Sequence, residues 1–287
     1  MSNELDLQQF NLDEEFILES VFSEDAMQKL RKCSLFPGCT PSVDNVGRAK
    51  MKNCRCSEGQ QTVGCCGGAP YNLASTPMTL VDDFAKEKRT RGLQECSAVC
   101  DCTVDSCHDR VLQRGRQHRL LIGMTEYKGF GVFAVDFIPR GALVTEHVGD
   151  VQKSGEAGAD MRYSWTMSDS TERDSQERLV LDSIRCGNEA RFLNHACDPN
   201  CATFPFSVEF DSPAYRRIGI FARRDIQPGD EVTIDYKTVT EEEDDYKKRK
   251  SKKSPEKKKL QTEFKEMLCR CKPDCKHMLI YGVPKSS

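Results

Sequence analysis

The sequence predicts a mainly β protein, built as several short β-sheets and flanked by a cysteine-rich module organised around metal and by a small metal-binding C-terminal segment. Three observations carry the prediction. Between His118 and Tyr236 the apolar residues come in short runs, RLLIG, GVFAVDF, ALVTEHV, RLVLD, RIGIFA and EVTIDY, separated by the turn signals KGFG, IPRG, DPN and QPGD. The 16 cysteines cluster: ten lie between Cys33 and Cys107, three between Cys186 and Cys201, and three between Cys269 and Cys275. The length of 287 residues allows two domains, or one with satellites, at about 150 residues each.

Taken in order, residues 1–38 are acidic, and Leu12, Phe16, Leu18, Val21, Phe22, Met27 and Leu30 suit one or two amphipathic helices over residues 1–32. Residues 39–115 are rich in Cys, Gly and Pro with little periodicity, as expected of a loop-rich module held by metal. Residues 116–240 carry the strand pattern. Residues 241–262 form a charged linker, and residues 263–287 hold Cys269, Cys271 and Cys275.

The net charge of −3 hides strong segregation. Residues 241–245 carry five negative charges, residues 247–259 a local +8, and everything outside that basic run sums to −11. An acidic body suits a basic partner, because complementary fields raise the encounter rate. The basic run buries no apolar surface and reads as a solvated tether; a nuclear-localisation role or a weak nucleic-acid contact through residues 247–259 are the alternatives. No stretch reaches the about 18 apolar residues of a membrane span, so no membrane partner is expected. The start MSNELDLQQF has no basic or apolar leader pattern, which points to a reducing compartment.

Clustered cysteine in a reducing compartment implies metal rather than disulfides. NCRC supplies Cys54 and Cys56, VGCCGG supplies Cys65 and Cys66, and ECSAVCDCTVDSC supplies Cys96, Cys100, Cys102 and Cys107. Adjacent and alternate cysteines cannot all face one tetrahedral ion, so this density suggests a polynuclear zinc cluster with bridging thiolates. Three zincs sharing about nine thiolates would satisfy four-coordination. The alternative, that some are merely buried small residues, applies least to the quartet Cys96 to Cys107. All-thiolate zinc leaves no open position, so the module's role is structural.

The run GNEARFLNHACDPNC (187–201) is the most distinctive in the chain. With KGFG at 128–131, EVTIDY at 231–236 and CRCKPDC at 269–275 it resembles the SET-domain protein lysine methyltransferases. The block ECSAVCDCTVDSCHDRVLQRG resembles their pre-SET module in the Suppressor-of-variegation class, which methylates histone H3. The resemblance runs from about Cys39 to Cys275. It implies a SET-domain fold with a trinuclear-zinc pre-SET module over 39–115, a SET domain over 116–240 and a zinc-binding post-SET segment over 263–287.

The resemblance also implies roles. Lys128, Gly129, Phe130 and Gly131, with Tyr163, Arg191, Asn194 and His195, would contact S-adenosylmethionine. Tyr236 and Tyr163, with His147 standing where the family has a tyrosine, would line the catalytic channel. Cys197, Cys269, Cys271 and Cys275 would hold a fourth zinc and close the tail over the site. Cys39 would be the ninth pre-SET ligand, since the usual window after Cys56 lacks one. Cys186 and Cys201 read as ordinary buried thiols. Three departures stand out: His147 in HVGD removes a phenol, Ile234 replaces an aromatic residue before the D-Y pair and leaves no hydroxyl to limit methylation, and the family's C-terminal tryptophan is missing. The expected activity is transfer of methyl from S-adenosylmethionine to a lysine of the histone H3 tail, by default the ninth residue, in the nucleus on chromosomes and chromatin. The alternative is a catalytically degenerate SET protein that binds chromatin.

Overall fold

The structure, a computed structural model, describes residues 15–16, 21–22, 41–43, 49–51, 71–72, 79–80, 93–96, 102–105, 107–153, 163–166, 179–208, 216–236 and 262–284. The described residues are mainly strand, arranged in small sheets.

Strands β8 (Leu120–Met124) and β9 (Phe130–Ala134) form an antiparallel hairpin from Leu120↔Ala134 to Met124↔Phe130. Its turn closes through Thr125 N–H to Gly129 O at 2.7 Å, with Gly129 at φ 74°, a left-handed conformation that glycine adopts without a Cβ clash. β9 pairs with β18 (Glu231–Ile234), and β18 pairs in parallel with β15 (Asn194–His195), giving the order β15-β18-β9-β8. A second sheet runs β10-β17-β16-β7, from β10 (Leu143–His147), β17 (Arg217–Ala222), β16 (Cys201–Ser207) and β7 (Leu93–Gln94). A third runs β12-β13-β11-β2, from β12 (Ser164–Thr166), β13 (Leu179–Asp182), β11 (Asp150–Lys153) and β2 (Val21–Phe22).

Two-stranded pairs complete the described architecture. β1 (Glu15–Phe16) runs parallel to β14 (Cys186–Gly187). β3 (Pro41–Val43) pairs with β4 (Ala49–Met51), β5 (Tyr71–Asn72) with β6 (Thr79–Leu80), and β19 (Thr262–Leu268) with β20 (Met278–Pro284).

The main core lies between the first two sheets, where Val132, Val144, Leu193, Ile220, Val232 and Ile234 pack together, each buried. A second cluster joins Tyr71, Leu93, Leu112, Phe206 and Phe221, with the Phe206 and Phe221 rings 5.6 Å apart. Removing such apolar area from water supplies most of the fold's stability. The carboxylate of Glu95 is buried with them: it accepts from Tyr71 OH at 2.5 Å, Leu112 N–H at 2.6 Å and Gln113 Nε2 at 3.0 Å, and burial raises its pKa. These donors satisfy a group that would otherwise be costly to bury.

All six apolar runs between His118 and Tyr236 contain the strands the sequence predicts, namely β8, β9, β10, β13, β17 and β18. Within residues 1–32, where the periodicity predicts helices, the four described residues, Glu15–Phe16 and Val21–Phe22, are strands. They add to β14 and β11. A sheet edge presents unpaired backbone groups, and satisfying them outweighs a weak helical period. The rest of residues 1–38, and the linker up to residue 261, lie outside the described residues.

Asn200 sews β16 to β18. Its Nδ2 donates to Glu231 O at 2.8 Å, its Oδ1 accepts from Thr233 N–H at 2.8 Å, and its own N–H donates to Thr233 Oγ1 at 3.3 Å. Asn200→Ala strands a buried carbonyl and a buried N–H, and urea unfolding should show a loss of about 2–3 kcal/mol.

Candidate active site

The segment from Asn188 to Cys201 is positioned by its own chemistry. Asn188 caps the short 3-10 turn Glu189–Phe192 by accepting from Ala190 N–H at 3.1 Å, and its Nδ2 donates to Glu146 O at 2.7 Å. The chain then runs beside β18, with Asn194↔Thr233 and His195↔Ile234, and Ala196 N–H donates to Ile234 O at 3.0 Å. This brings Asn194, His195 and Cys197 alongside the strand that leads into Tyr236.

Tyr236 is fastened at both ends. Its backbone N–H donates to His195 Nδ1 at 3.1 Å, its hydroxyl donates to Leu193 O at 2.6 Å, and the His195 and Tyr236 rings lie 5.5 Å apart. The residue as a whole is 37% exposed, and burial at its hydroxyl, with Tyr163 and Glu231 nearby, raises the phenol well above its usual pKa. The phenol therefore stays protonated. Because a backbone N–H can only donate, His195 Nδ1 holds a lone pair in the neutral ring and Nε2 carries the proton. That Nε2 lies 3.3 Å from Cys197 Sγ.

On the other flank Asn194 Nδ2 donates to Phe130 O and to Glu231 Oε1, both at 2.9 Å, and Lys128 Nζ pairs with Glu231 Oε2 at 2.6 Å. Gly131 lies under these groups: a Cβ there would come within 2.6 Å of Thr125 Cγ2, 2.9 Å of Glu231 Oε1 and 3.0 Å of Asn194 Nδ2. At Gly129 the corresponding direction is open. Gly131 is thus required because its side-chain space is taken, whereas Gly129 leaves its backbone open to close approach. Phe130 meets Phe192 edge to face at 6.1 Å.

Arg191 Nη2 donates to Ile184 O at 3.0 Å, and its guanidinium lies over the rings of Tyr163 (5.5 Å) and Phe192 (5.3 Å). Tyr163 is 38% exposed. His147 sits nearby at the end of β10. Ser183 Oγ gives its proton to Val148 O at 2.8 Å and so accepts from His147 Nε2–H at 2.9 Å. Burial holds His147 down to about 4, with Arg191 adding to the shift, so its ring is neutral. Ile234 is only 7% exposed and packs in the main core.

Two sulfur clusters are present among the described residues. Cys197, Cys269, Cys271 and Cys275 have all four sulfurs within 4.8 Å of one another. The distances from Cys197 Sγ to Cys269 and Cys275 are 3.8 and 3.7 Å, against the edge of about 3.8 Å that a tetrahedron with Zn–S near 2.3 Å requires. Burial pushes the Cys269 thiol up to about 11 and Cys197 higher, a cost that a coordinated cation reverses. Four soft donors in this arrangement fit zinc. Cys96, Cys102 and Cys107 form the second cluster, all buried. Arg110, itself buried, donates from Nε to Cys102 Sγ at 3.3 Å, as suits a thiolate. Cys39, Cys54, Cys56, Cys65, Cys66 and Cys100 lie outside the described residues. Cys201 is buried, and Cys186, also buried, donates to Asp150 Oδ1 at 3.2 Å.

The sequence reading missed Glu231, Asn200, Ser183 and His277. Glu231 and Asn200 lie inside the quoted motifs EVTIDY and DPN, where a charged or amide residue at a strand start or turn was a usable signal. Ser183 and His277 offered none.

Residues 129–237 match the SET domain family model. Over 206 residues the chain is 30% identical to the histone-lysine N-methyltransferase SETMAR of Bos taurus, covering 68% of this chain and 66% of that protein. It is 34% identical over 149 residues to the histone-lysine N-methyltransferase, H3 lysine-9 specific, of Schizosaccharomyces pombe, covering 50% of this chain and 30% of that one. The chain thus spans less than two thirds of these relatives' length. Its fold is similar to that of the Neurospora SET domain protein DIM-5, a histone lysine methyltransferase, with TM-score 0.59, 24% identity, and 79% and 90% of the two chains covered.

The neutral state of His147 has a testable cost. The unfolded chain binds a proton at this histidine near 6.5, whereas the folded chain refuses it until about 4, so stability falls as pH drops through that window. Urea unfolding of His147→Gln between pH 7 and 4 should be flatter than wild type by roughly 3 kcal/mol.

Proposed function

The chain belongs to the SET-domain family, and from that membership and the geometry around Tyr236 we propose that it is a histone lysine N-methyltransferase using S-adenosylmethionine, acting on a lysine of the H3 tail, by default the ninth residue. Residues 39–115 act as the pre-SET zinc module, 116–240 as the SET domain and 263–287 as the post-SET segment. The observation that carries the reading is that one loop supplies Asn194, His195 and Cys197 beside β18 and Tyr236.

S-adenosylmethionine, when bound, supplies a methyl group on an electrophilic sulfonium. The chain's part is to hold the partners in line and to keep the target amine neutral. Gly129 offers open backbone to the cofactor, while Lys128, Asn194 and Glu231 fix the segment around Gly131 beside it. Arg191 braces Tyr163 on the opposite flank.

A free lysine has a pKa near 10.4, so its neutral form costs about 4–5 kcal/mol at neutral pH unless the site is dry and cationic. Tyr236 spends its proton on Leu193 O, which leaves its oxygen lone pairs to accept an amine N–H. It orients the nucleophile rather than removing its proton, since the phenol stays protonated. The tail held by Cys269, Cys271 and Cys275 closes the site against water, and zinc supplied to that cluster orders the closure. The acidic body attracts the basic tail of H3, and residues 247–259 add a weak contact with nucleic acid. The protein acts on chromatin in the nucleus.

His147 favours the alternative of a degenerate chromatin-binding protein, since its Nε2–H is taken up by Ser183 and no phenol replaces the family's. The test is an assay with labelled cofactor and H3 peptides, read by mass spectrometry for the modified lysine and its methyl number. Wild type should transfer label and Tyr236→Phe should lose about 10²-fold or more. Cofactor binding without any transfer would favour the alternative.

A metal-removal experiment addresses the tail. Stripping zinc with a strong chelator should abolish transfer, and restoring zinc should recover it, as expected where metal binding orders the closing segment.

A further inference from the structure

One imidazole beside the tail cluster has no part in the mechanism above. His277 Nδ1 lies 2.8 Å from Cys197 Sγ. It is outside the group of mutually close donors, which comprises the four sulfurs alone. Four thiolates complete a tetrahedral zinc, so His277 is not needed as a ligand. Its backbone is fixed independently: the His277 carbonyl accepts from Cys269 N–H at 2.7 Å, one step beyond the β19–β20 pairing of Leu268 with Met278. The hairpin thereby returns His277 to the sulfur of a cysteine 80 residues earlier in the chain.

The same sulfur meets a second imidazole. His195 Nε2 is 3.3 Å away, and its proton is assigned there because Nδ1 accepts the Tyr236 backbone N–H. A metal-bound thiolate only accepts, so His277 must present Nδ1–H to it. Cys197 is thus approached by one N–H donor from the SET body and one from the tail.

We infer that His277 is a positioning residue for the tail zinc site: its Nδ1–H donates to the Cys197 thiolate, fixes that sulfur toward the metal, and fastens the tail to the loop carrying Asn194 and His195. Outer donors of this kind orient the ligand and tune its basicity, and their loss typically weakens metal binding by about 10- to 100-fold. The inference rests on the reading that the cluster Cys197, Cys269, Cys271 and Cys275 holds zinc.

The test uses the full chain loaded with zinc and challenged with the chromogenic chelator 4-(2-pyridylazo)resorcinol. The release phase belonging to the tail site is the one lost in Cys271→Ser. His277→Ala should speed that phase by about tenfold or more and leave the other phases unchanged. His277→Asn carries an N–H donor at the same γ-linked position as Nδ1 and should restore the rate to within about twofold of wild type. Equal rates in wild type and His277→Ala would overturn the inference, as would an asparagine variant as fast as alanine. If Cys271→Ser removes no phase, the zinc assignment itself fails, and the role of His277 falls with it.

Discussion

The parallel pairing of β15 with β18 is the constraint on which the rest of the site depends. Two residues of a loop, Asn194 and His195, are laid against Thr233 and Ile234, and the loop cannot drift because Asn200 grips the same strand farther along. Everything of chemical interest hangs on this short seam. To one side Asn194 reaches Glu231 and Phe130; to the other His195 receives the backbone of Tyr236 and points at Cys197. The pairing is brief, so its strength comes from buried amides that have no water to fall back on.

That seam joins two different kinds of stability. The SET body is held by apolar burial between sheets, with residues such as Val132, Val144 and Ile220 wholly buried. The tail hairpin β19–β20 exposes Met267, Leu268 and Met278 and meets the body through a sulfur cluster. Leu279 of that hairpin is buried, and zinc held by the four sulfurs would add bonds to an ion beside that apolar contact. Cys197 stands at the junction, belonging to the body by sequence and to the tail by chemistry.

Much of this was legible in the residues. The alternation of apolar runs with Gly and Pro turns marked β8, β9, β10, β13, β17 and β18, because each run buries a sheet face and each turn needs backbone freedom. The ordered motifs marked Asn194, His195 and Tyr236, and the family resemblance they carry marked the tail cluster. Strands that depend on a distant partner were not legible. β14 and β15 are two residues long, β16 contains Pro205, and β1 and β2 exist through edges supplied much later in the chain. Likewise Ser183 and His277 are defined by contacts with residues 35 to 80 positions away, and such contacts leave no local pattern.

Gly131 shows what close approach does to a sequence over time. The space that a methyl group would need there is already taken by Thr125, Asn194 and Glu231, which come from three separate parts of the chain. These four positions therefore form one steric unit. A change at any of them alters which substitutions the other three tolerate, so residues transplanted here from a relative would have to travel as a block, and a single exchange would misreport what each contributes.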